Sequence, residues 1–73
     1  MNEIDWNELS KLPLSVKKYS IHWHLNVQIS GEFIFIYYDV PSKDTFRMCK
    51  VWNKNIALAV KDMLYLLREE ELI

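Results

Sequence analysis

The chain has little cysteine, glycine or proline: one Cys, one Gly and two Pro among 73 residues. Because Cys49 is alone, no intramolecular disulfide can form, which excludes a disulfide-stapled secreted scaffold and indicates a reducing cytoplasm. Because Gly31 is alone, a glycine-rich phosphate-binding loop cannot be built, and nucleotide chemistry is not expected. No apolar run approaches the roughly 20 residues that cross a bilayer. We therefore expect a soluble protein without a membrane partner.

Neither sign of charge dominates, since nine basic and ten acidic residues give a formal net charge of -1. This balance argues against strong sequence-independent attraction to nucleic acid, because that attraction grows with the number of phosphates neutralised. Positive residues are nevertheless clustered locally. A nucleic-acid-binding surface would use Lys17, Lys18, Arg47, Lys50 and Lys54.

Apolar residues are abundant: 51% of the chain is hydrophobic and 14% is aromatic, far above the level of disordered chains. A chain of this length is near the lower limit at which one apolar core offsets chain entropy. We therefore expect residues 1–73 to form a single domain with a dense core. Dimerisation would add core that the monomer lacks, so a homodimer is one expected assembly.

The clearest pattern is an unbroken alternation of apolar and polar residues from Lys18 to Ser30. It predicts one long strand with a buried face and a solvated face. Gly31 supplies the positive φ of a tight hairpin turn after it. Residues 33–38 are apolar on both faces and are expected to form a second strand in the middle of the sheet.

The other elements follow from caps and breakers. Asp5 caps a short helix over about residues 6–12, with Ile4 contacting Leu9, and Pro13 ends it. Its expected apolar stripe is Trp6, Leu9 and Leu12.

Residues 41–44 read as a loop, and residues 45–52 as a third strand with Phe46, Met48 and Trp52 on one side. A final helix begins with Asn53 or Asn55 as its cap and runs to about Glu70. The predicted fold is a small α+β domain in the order α-β-β-β-α, with a three-stranded antiparallel meander and two helices packed on the sheet.

Two residue groups bear on chemistry. His22 and His24 share a strand face and are candidate metal ligands, with a third ligand from Asp39, Tyr37 or Cys49. A two-residue hairpin loop would put Asp39 beside His22. Cys49 with either histidine is the conceivable nucleophile and base, although a free thiol in a strand is usually a small buried hydrophobe. We predict a non-enzymatic protein without catalytic residues, metal or cofactor.

Two surfaces are candidates for protein binding. On the first, the polar face of the long strand is shared with either Phe33, Phe35 and Tyr37 or the alternate set beginning at Ile34, depending on the hairpin loop. If both helices cover the other side, an apolar stripe stays open, whereas one helix on each face would make it core. The candidate residues are His22, His24, Asn26, Phe33, Phe35 and Tyr37.

The second surface is the outer side of the final helix, where Leu58, Tyr65 and Leu72 repeat every seven residues. Charged neighbours flank this line, as in a narrow seam for another helix. Isolated exposed leucines are also ordinary, so a solvated helix face is the alternative. The candidate residues are Leu58, Asp62, Tyr65, Glu69 and Leu72.

The predicted element order, with Lys54 at the start of the last helix, resembles the double-stranded RNA-binding domain. In that family the second helix begins with lysines that touch phosphates, and the resemblance implies this role for Lys54. The same order and size also resemble small phage-encoded inhibitors of host nucleases or defence complexes, a group without a shared motif.

These observations predict a cytoplasmic, non-enzymatic protein-binding module that regulates or inhibits a larger protein. The alternative is a nucleic-acid-binding domain in which sheet aromatics stack on bases and the basic cluster meets phosphates. A steep loss of affinity with salt would distinguish the second from the first.

Overall fold

The computed structural model of the protein describes residues 5–73, except for the side chains of residues 43–45. The elements in chain order are α1 (Trp6–Leu9), β1 (Ser15–Lys18), β2 (Ile21–Ser30), β3 (Phe33–Val40), β4 (Lys43–Asn53) and α2 (Ile56–Glu69). The strands form one antiparallel sheet in the order β1-β2-β3-β4. The predicted small α+β domain is confirmed, whereas the predicted count of three strands is wrong. The expected contact of Ile4 with Leu9 lies outside the described residues.

The extra strand comes from the long alternating segment, which folds as β1 and β2 rather than as one strand. Tyr19 and Ser20 have φ values of 57° and 61° and form a two-residue turn that pairs Lys18 with Ile21. Two successive left-handed residues are the geometry of a type I′ hairpin turn, which usually carries Asn-Gly. Neither residue of this turn is Gly, Asn or Asp, so the sequence carries no turn signal that interrupts the alternation of apolar and polar residues.

The second hairpin follows the prediction more closely. Gly31 has a φ of 59° in a two-residue turn that pairs Ser30 with Phe33. β3 is hydrogen-bonded to β2 on one side and β4 on the other, which confirms its predicted place in the middle of the sheet. This register also decides which alternate set of β3 shares the polar face of β2: it is Phe33, Phe35 and Tyr37.

β4 departs from the prediction at both ends of its pairing. It begins at Lys43, inside the segment predicted as a loop. Further along, Cys49 and Lys50 stand opposite the single residue Tyr37, and Cys49 has a φ of 54°. This is a β-bulge, which shifts the register by one residue.

The bulge reverses the face of every residue on one side of it. Met48 pairs with Tyr38 and packs against the core, whereas Trp52 pairs with Phe35 and points to the opposite face. The expectation that Met48 and Trp52 share a side with Phe46 is therefore wrong for Trp52.

Both helices lie on one side of the sheet, with α2 packed on β3 and β4 and α1 packed against α2. The core between these layers is one cluster of buried apolar residues. Its members are Leu9, Leu12, Val16, Trp23, Ile34, Ile36, Tyr38, Val40, Val51, Ala59, Val60, Met63 and Leu67.

α1 is shorter than predicted, although its start is correct. The carboxylate of Asp5 accepts hydrogen bonds from the backbone N–H groups of Asn7 (3.0 Å) and Glu8 (3.2 Å), as a helix cap does. The helix ends at Leu9 rather than near residue 12. Trp6 is 70% exposed, so its predicted place in the buried stripe is wrong.

α2 begins as predicted, with the Asn55 side chain accepting from the N–H of Leu58 at 3.1 Å. Its C-terminus closes with Glu71 at a φ of 58° and the N–H of Leu72 donating to the carbonyl of Leu67 at 2.8 Å. This is a Schellman closure, which folds the chain back. Within residues 5–73, neither helix is long and apolar enough to cross a membrane.

Candidate functional site

The sheet face that points away from the helices is not covered by any element of residues 5–73, and we call it the open face. Strand pairing places alternate residues of each strand on it. They are Ser15 and Lys17 from β1, His22, His24, Asn26, Gln28 and Ser30 from β2, Phe33, Phe35, Tyr37 and Asp39 from β3, and Arg47 and Trp52 from β4. The structure thus brings the six residues predicted on the sheet surface, His22 to Tyr37, onto one face.

One half of the open face is aromatic. The ring of Phe35 is in edge-to-face contact with Tyr37 (centroids 5.1 Å apart) and with Trp52 (5.7 Å). Trp52 is 62% exposed and Phe33 is 42% exposed. Together with Ser30, Phe33, Phe35 and Trp52 line a depression of about 260 Å³. Aromatic residues around a shallow depression are typical of the centre of a protein interface.

Tyr37 is only 2% exposed although it lies on the open face, because its neighbours on that face bury it. The guanidinium of Arg47 lies over its ring, 4.5 Å from the centroid. The Gln28 amide donates to its hydroxyl at 3.0 Å, and Phe35 packs against its side. Tyr37 therefore holds the Arg47 guanidinium in place and packs against the ring of Phe35.

The other half of the open face is polar and basic. Lys17 pairs with His22 across β1 and β2, and His24 lies opposite Asp39. The Asp39 carboxylate accepts from the Asn26 amide at 2.5 Å. Lys17 forms no ion pair with any side chain that the structure describes, and the same holds for Arg47. Within the described part of the chain, nothing prevents these two cations from binding an external anion.

The predicted metal site has a different geometry from the expected one. His22 and His24 do share a face, but Asp39 lies opposite His24 and not His22. The hairpin has the expected two-residue loop. Counting back from the pair formed by Ser30 and Phe33 brings His24 opposite Asp39. In the described part of the chain, no group of three His, Cys, Asp or Glu side chains is placed to hold a metal ion.

Cys49 does not lie near His22 or His24, the two residues considered as its general base. Its side chain packs against the core on the helix side, whereas His22 and His24 lie on the open face. Burial raises the pKa of the Cys49 thiol, an effect that nearby Lys18 partly opposes. A raised pKa reduces the thiolate, which is the nucleophilic form.

The five basic residues of the nucleic-acid alternative are only partly brought together. Lys17 and Arg47 lie on the open face, and Lys54 reaches it by placing its ammonium 5.7 Å from the centroid of the Phe33 ring. Lys18 instead pairs with Glu70 behind the sheet. Lys50 is exposed within the bulge.

The second predicted surface keeps four of its five residues. Leu58 and Tyr65 are exposed, and the Tyr65 hydroxyl donates to Glu69 at 3.2 Å. Asp62 is exposed between them on α2. Leu72, however, lies beyond the end of α2 and packs against the core, because the Schellman closure turns it inward. The expectation that Leu72 continues this line on the helix surface is wrong.

Sequence reasoning missed Trp52 as a residue of the open face. Gln28 was visible as part of the polar alternation, but its contact with Tyr37 depends on the hairpin register. Trp52 reaches the open face only because of the bulge at Cys49, which no glycine signals. No protein-family model matches the chain, and no curated protein or solved structure matches it significantly.

Proposed function

We propose that this domain is a non-enzymatic protein-binding module that regulates or inhibits a larger protein through its open face. The observation that carries the proposal is that both helices cover one side of the sheet and leave an aromatic face on the other. Contiguous exposed apolar surface next to polar residues is characteristic of interaction sites.

The size of the open face supports this proposal. Stable interfaces bury roughly 800 Å² of each partner. The two longer Cα dimensions of the molecule, 38 and 23 Å, leave room for a contact of that size on one side. A partner seated there would cover a substantial part of the 5118 Å² total surface.

The compartment is part of the proposal. The unpaired thiol of Cys49 suits a reducing environment, and we propose that the module acts in the cytoplasm.

Nucleic acid is the second candidate, and the distribution of charge favours it. Six acidic residues belong to the helical layer and its ends: Asp5, Glu8, Asp62, Glu69, Glu70 and Glu71. The open face carries three basic residues, Lys17, Arg47 and Lys54, and two acidic residues, Glu32 and Asp39. The sheet side is therefore more basic than the net charge of -1 for the whole chain suggests. A basic, aromatic sheet is a common surface for single-stranded nucleic acid.

The aromatic geometry favours protein over nucleic acid. Base stacking needs free ring faces. Arg47 already covers the ring of Tyr37, and Lys54 lies over the ring of Phe33. Phe35 presents edges to both of its aromatic neighbours. The rings therefore form walls around a depression rather than a flat platform.

Affinity capture with matched variants tests the proposed function. Tagged wild-type protein, the double variant Trp52→Ala/Phe33→Ala and the control Tyr65→Ala are each incubated with lysate of the source cells, with and without nuclease treatment. We expect a stoichiometric protein that the wild type and Tyr65→Ala capture and the double variant loses. A partner retained by the double variant would contradict use of the open face. Loss of all binding after nuclease treatment would favour the nucleic-acid candidate.

A further inference from the structure

We propose that the occupant of the open face is an acidic protein segment that carries one large apolar side chain. This inference rests on the proposed function and adds the chemistry of the partner.

The apolar side chain is assigned to the depression between Phe33, Phe35 and Trp52. Its walls are aromatic, and its volume of about 260 Å³ suits one aromatic or branched aliphatic side chain. A single large side chain that enters such a pocket usually supplies much of the binding energy.

The acidic character follows from the cations on the rest of the open face. Arg47 is held over Tyr37, at the border between the aromatic and the basic half, and has no ion pair among the described side chains. Lys17 lies at the far end of the basic half. The Asp39 carboxylate lies directly opposite Arg47 in the register, but it accepts from the Asn26 amide and forms no ion pair with Arg47. A partner carboxylate would therefore meet Arg47, which its contact with Tyr37 holds in place, and Lys17, neither of which forms an ion pair with a described side chain.

A second copy of this chain fits the open face poorly. Two open faces brought together would bury a net positive charge from each copy in one interface, and like charges across an interface are unfavourable. Stacking an open face on the acidic helical layer of another copy would be a head-to-tail contact, which does not close into a dimer. Charge complementarity thus favours a foreign acidic segment.

The register also sets the spacing within that segment. The Arg47 guanidinium lies over Tyr37, which is two residues from Phe35 along β3. The residue paired with Arg47 is Asp39, which is four residues from Phe35. In an extended chain these separations correspond to roughly 7 and 13 Å. The structure therefore assigns the acidic residues to positions about two to four residues from the apolar anchor.

Selection from a random linear peptide library displayed on phage tests this inference. The target is the wild-type protein, with counter-selection against Trp52→Ala. We expect enriched peptides with an aromatic or aliphatic anchor and Asp or Glu two to four residues away. A synthetic copy of the best peptide should lose about tenfold in affinity with Trp52→Ala. Lys17→Gln and Arg47→Gln should each weaken it at low salt, whereas the matched controls Lys61→Gln and Arg68→Gln on α2 should not.

The possible failures are distinguishable. Peptides that depend on Trp52 but show no acidic enrichment, or that bind Lys17→Gln and Arg47→Gln as tightly as wild type, overturn the inference and leave the proposed function standing. Failure to enrich any peptide that depends on Trp52, with tight salt-sensitive binding of labelled oligothymidine instead, overturns both. Circular dichroism of each variant confirms that a loss of binding is not a loss of fold.

Discussion

The hydroxyl of Tyr38 donates a 2.7 Å hydrogen bond to the carbonyl oxygen of Pro13, from a side chain that is fully buried under the helices. Tyr38 belongs to the central strand, whereas Pro13 belongs to the connection between α1 and β1. The bond therefore ties the N-terminal segment to the middle of the sheet. This segment would otherwise depend on the burial of Leu9 and Leu12.

Replacing Tyr38 by Phe should remove this tie and keep the ring. We expect the free energy of unfolding to fall by about 1 kcal/mol, the usual contribution of one hydrogen bond. Urea denaturation measures it. Tyr65→Phe is the matched control, because the Tyr65 hydroxyl bonds Glu69 in solvent, and it should change stability little. Equal effects of the two substitutions would show that the bond to Pro13 contributes nothing specific.

Alkaline pH should destabilise the protein through two weak acids, the buried Tyr38 and the half-buried Cys49. Burial raises the pKa of Tyr38 above its ordinary value of 10.0, and burial also raises the pKa of Cys49 above 9.0. Both groups hold their protons more tightly in the folded state, so their stabilising contribution is complete below pH 9 and is lost as pH rises. Unfolding free energies measured in urea between pH 8 and pH 11 should therefore decline. The decline should be shallower in Tyr38→Phe/Cys49→Ala, and parallel curves for the two proteins would contradict this account.

The three tryptophans should separate core from surface. Trp23 is 7% exposed and its indole N–H donates to the carbonyl of Lys18 at 3.1 Å, so Trp23→Ala should lower the unfolding free energy by about 3 to 5 kcal/mol. Trp6→Ala and Trp52→Ala remove exposed side chains and should each change it by less than about 1 kcal/mol. Thermal melts of the three variants provide the comparison. A large loss with Trp52→Ala would mean that Trp52 belongs to the core rather than to a binding surface.

Much of the fold could be predicted because apolar periodicity and caps are local signals. The alternation around Trp23, the turn at Gly31 and the cap at Asn55 each determine their own neighbourhood. The open face could be narrowed only to two alternatives, because its composition depends on the register between β2 and β3. Its aromatic half also needs Trp52, whose face is set by the bulge at Cys49.

The fourth strand was missed for a related reason. Tyr19 and Ser20 adopt left-handed backbone geometry, for which their residue types give no signal. The turn forms there because Val16 and Trp23 both pack into the core on the helix side. The unusual conformation at Cys49 likewise follows from the pairing of its neighbours and not from its side chain. In this chain, local sequence patterns therefore fail to predict the structure at residues other than glycine that have a positive φ.

The same turn supplies a test of this explanation. L-residues in the left-handed region are strained, and Asn-Gly is the preferred sequence of a type I′ turn. Tyr19→Asn/Ser20→Gly should therefore raise the free energy of unfolding by about 1 kcal/mol, measured by urea denaturation. Ser30→Gly, in the exposed end of β2 where φ is not positive, is the matched control and should lower it by about 0.5 to 1 kcal/mol. If both substitutions destabilise the protein, residues 15–30 do not form a hairpin, because glycine would then weaken a continuous strand at either position.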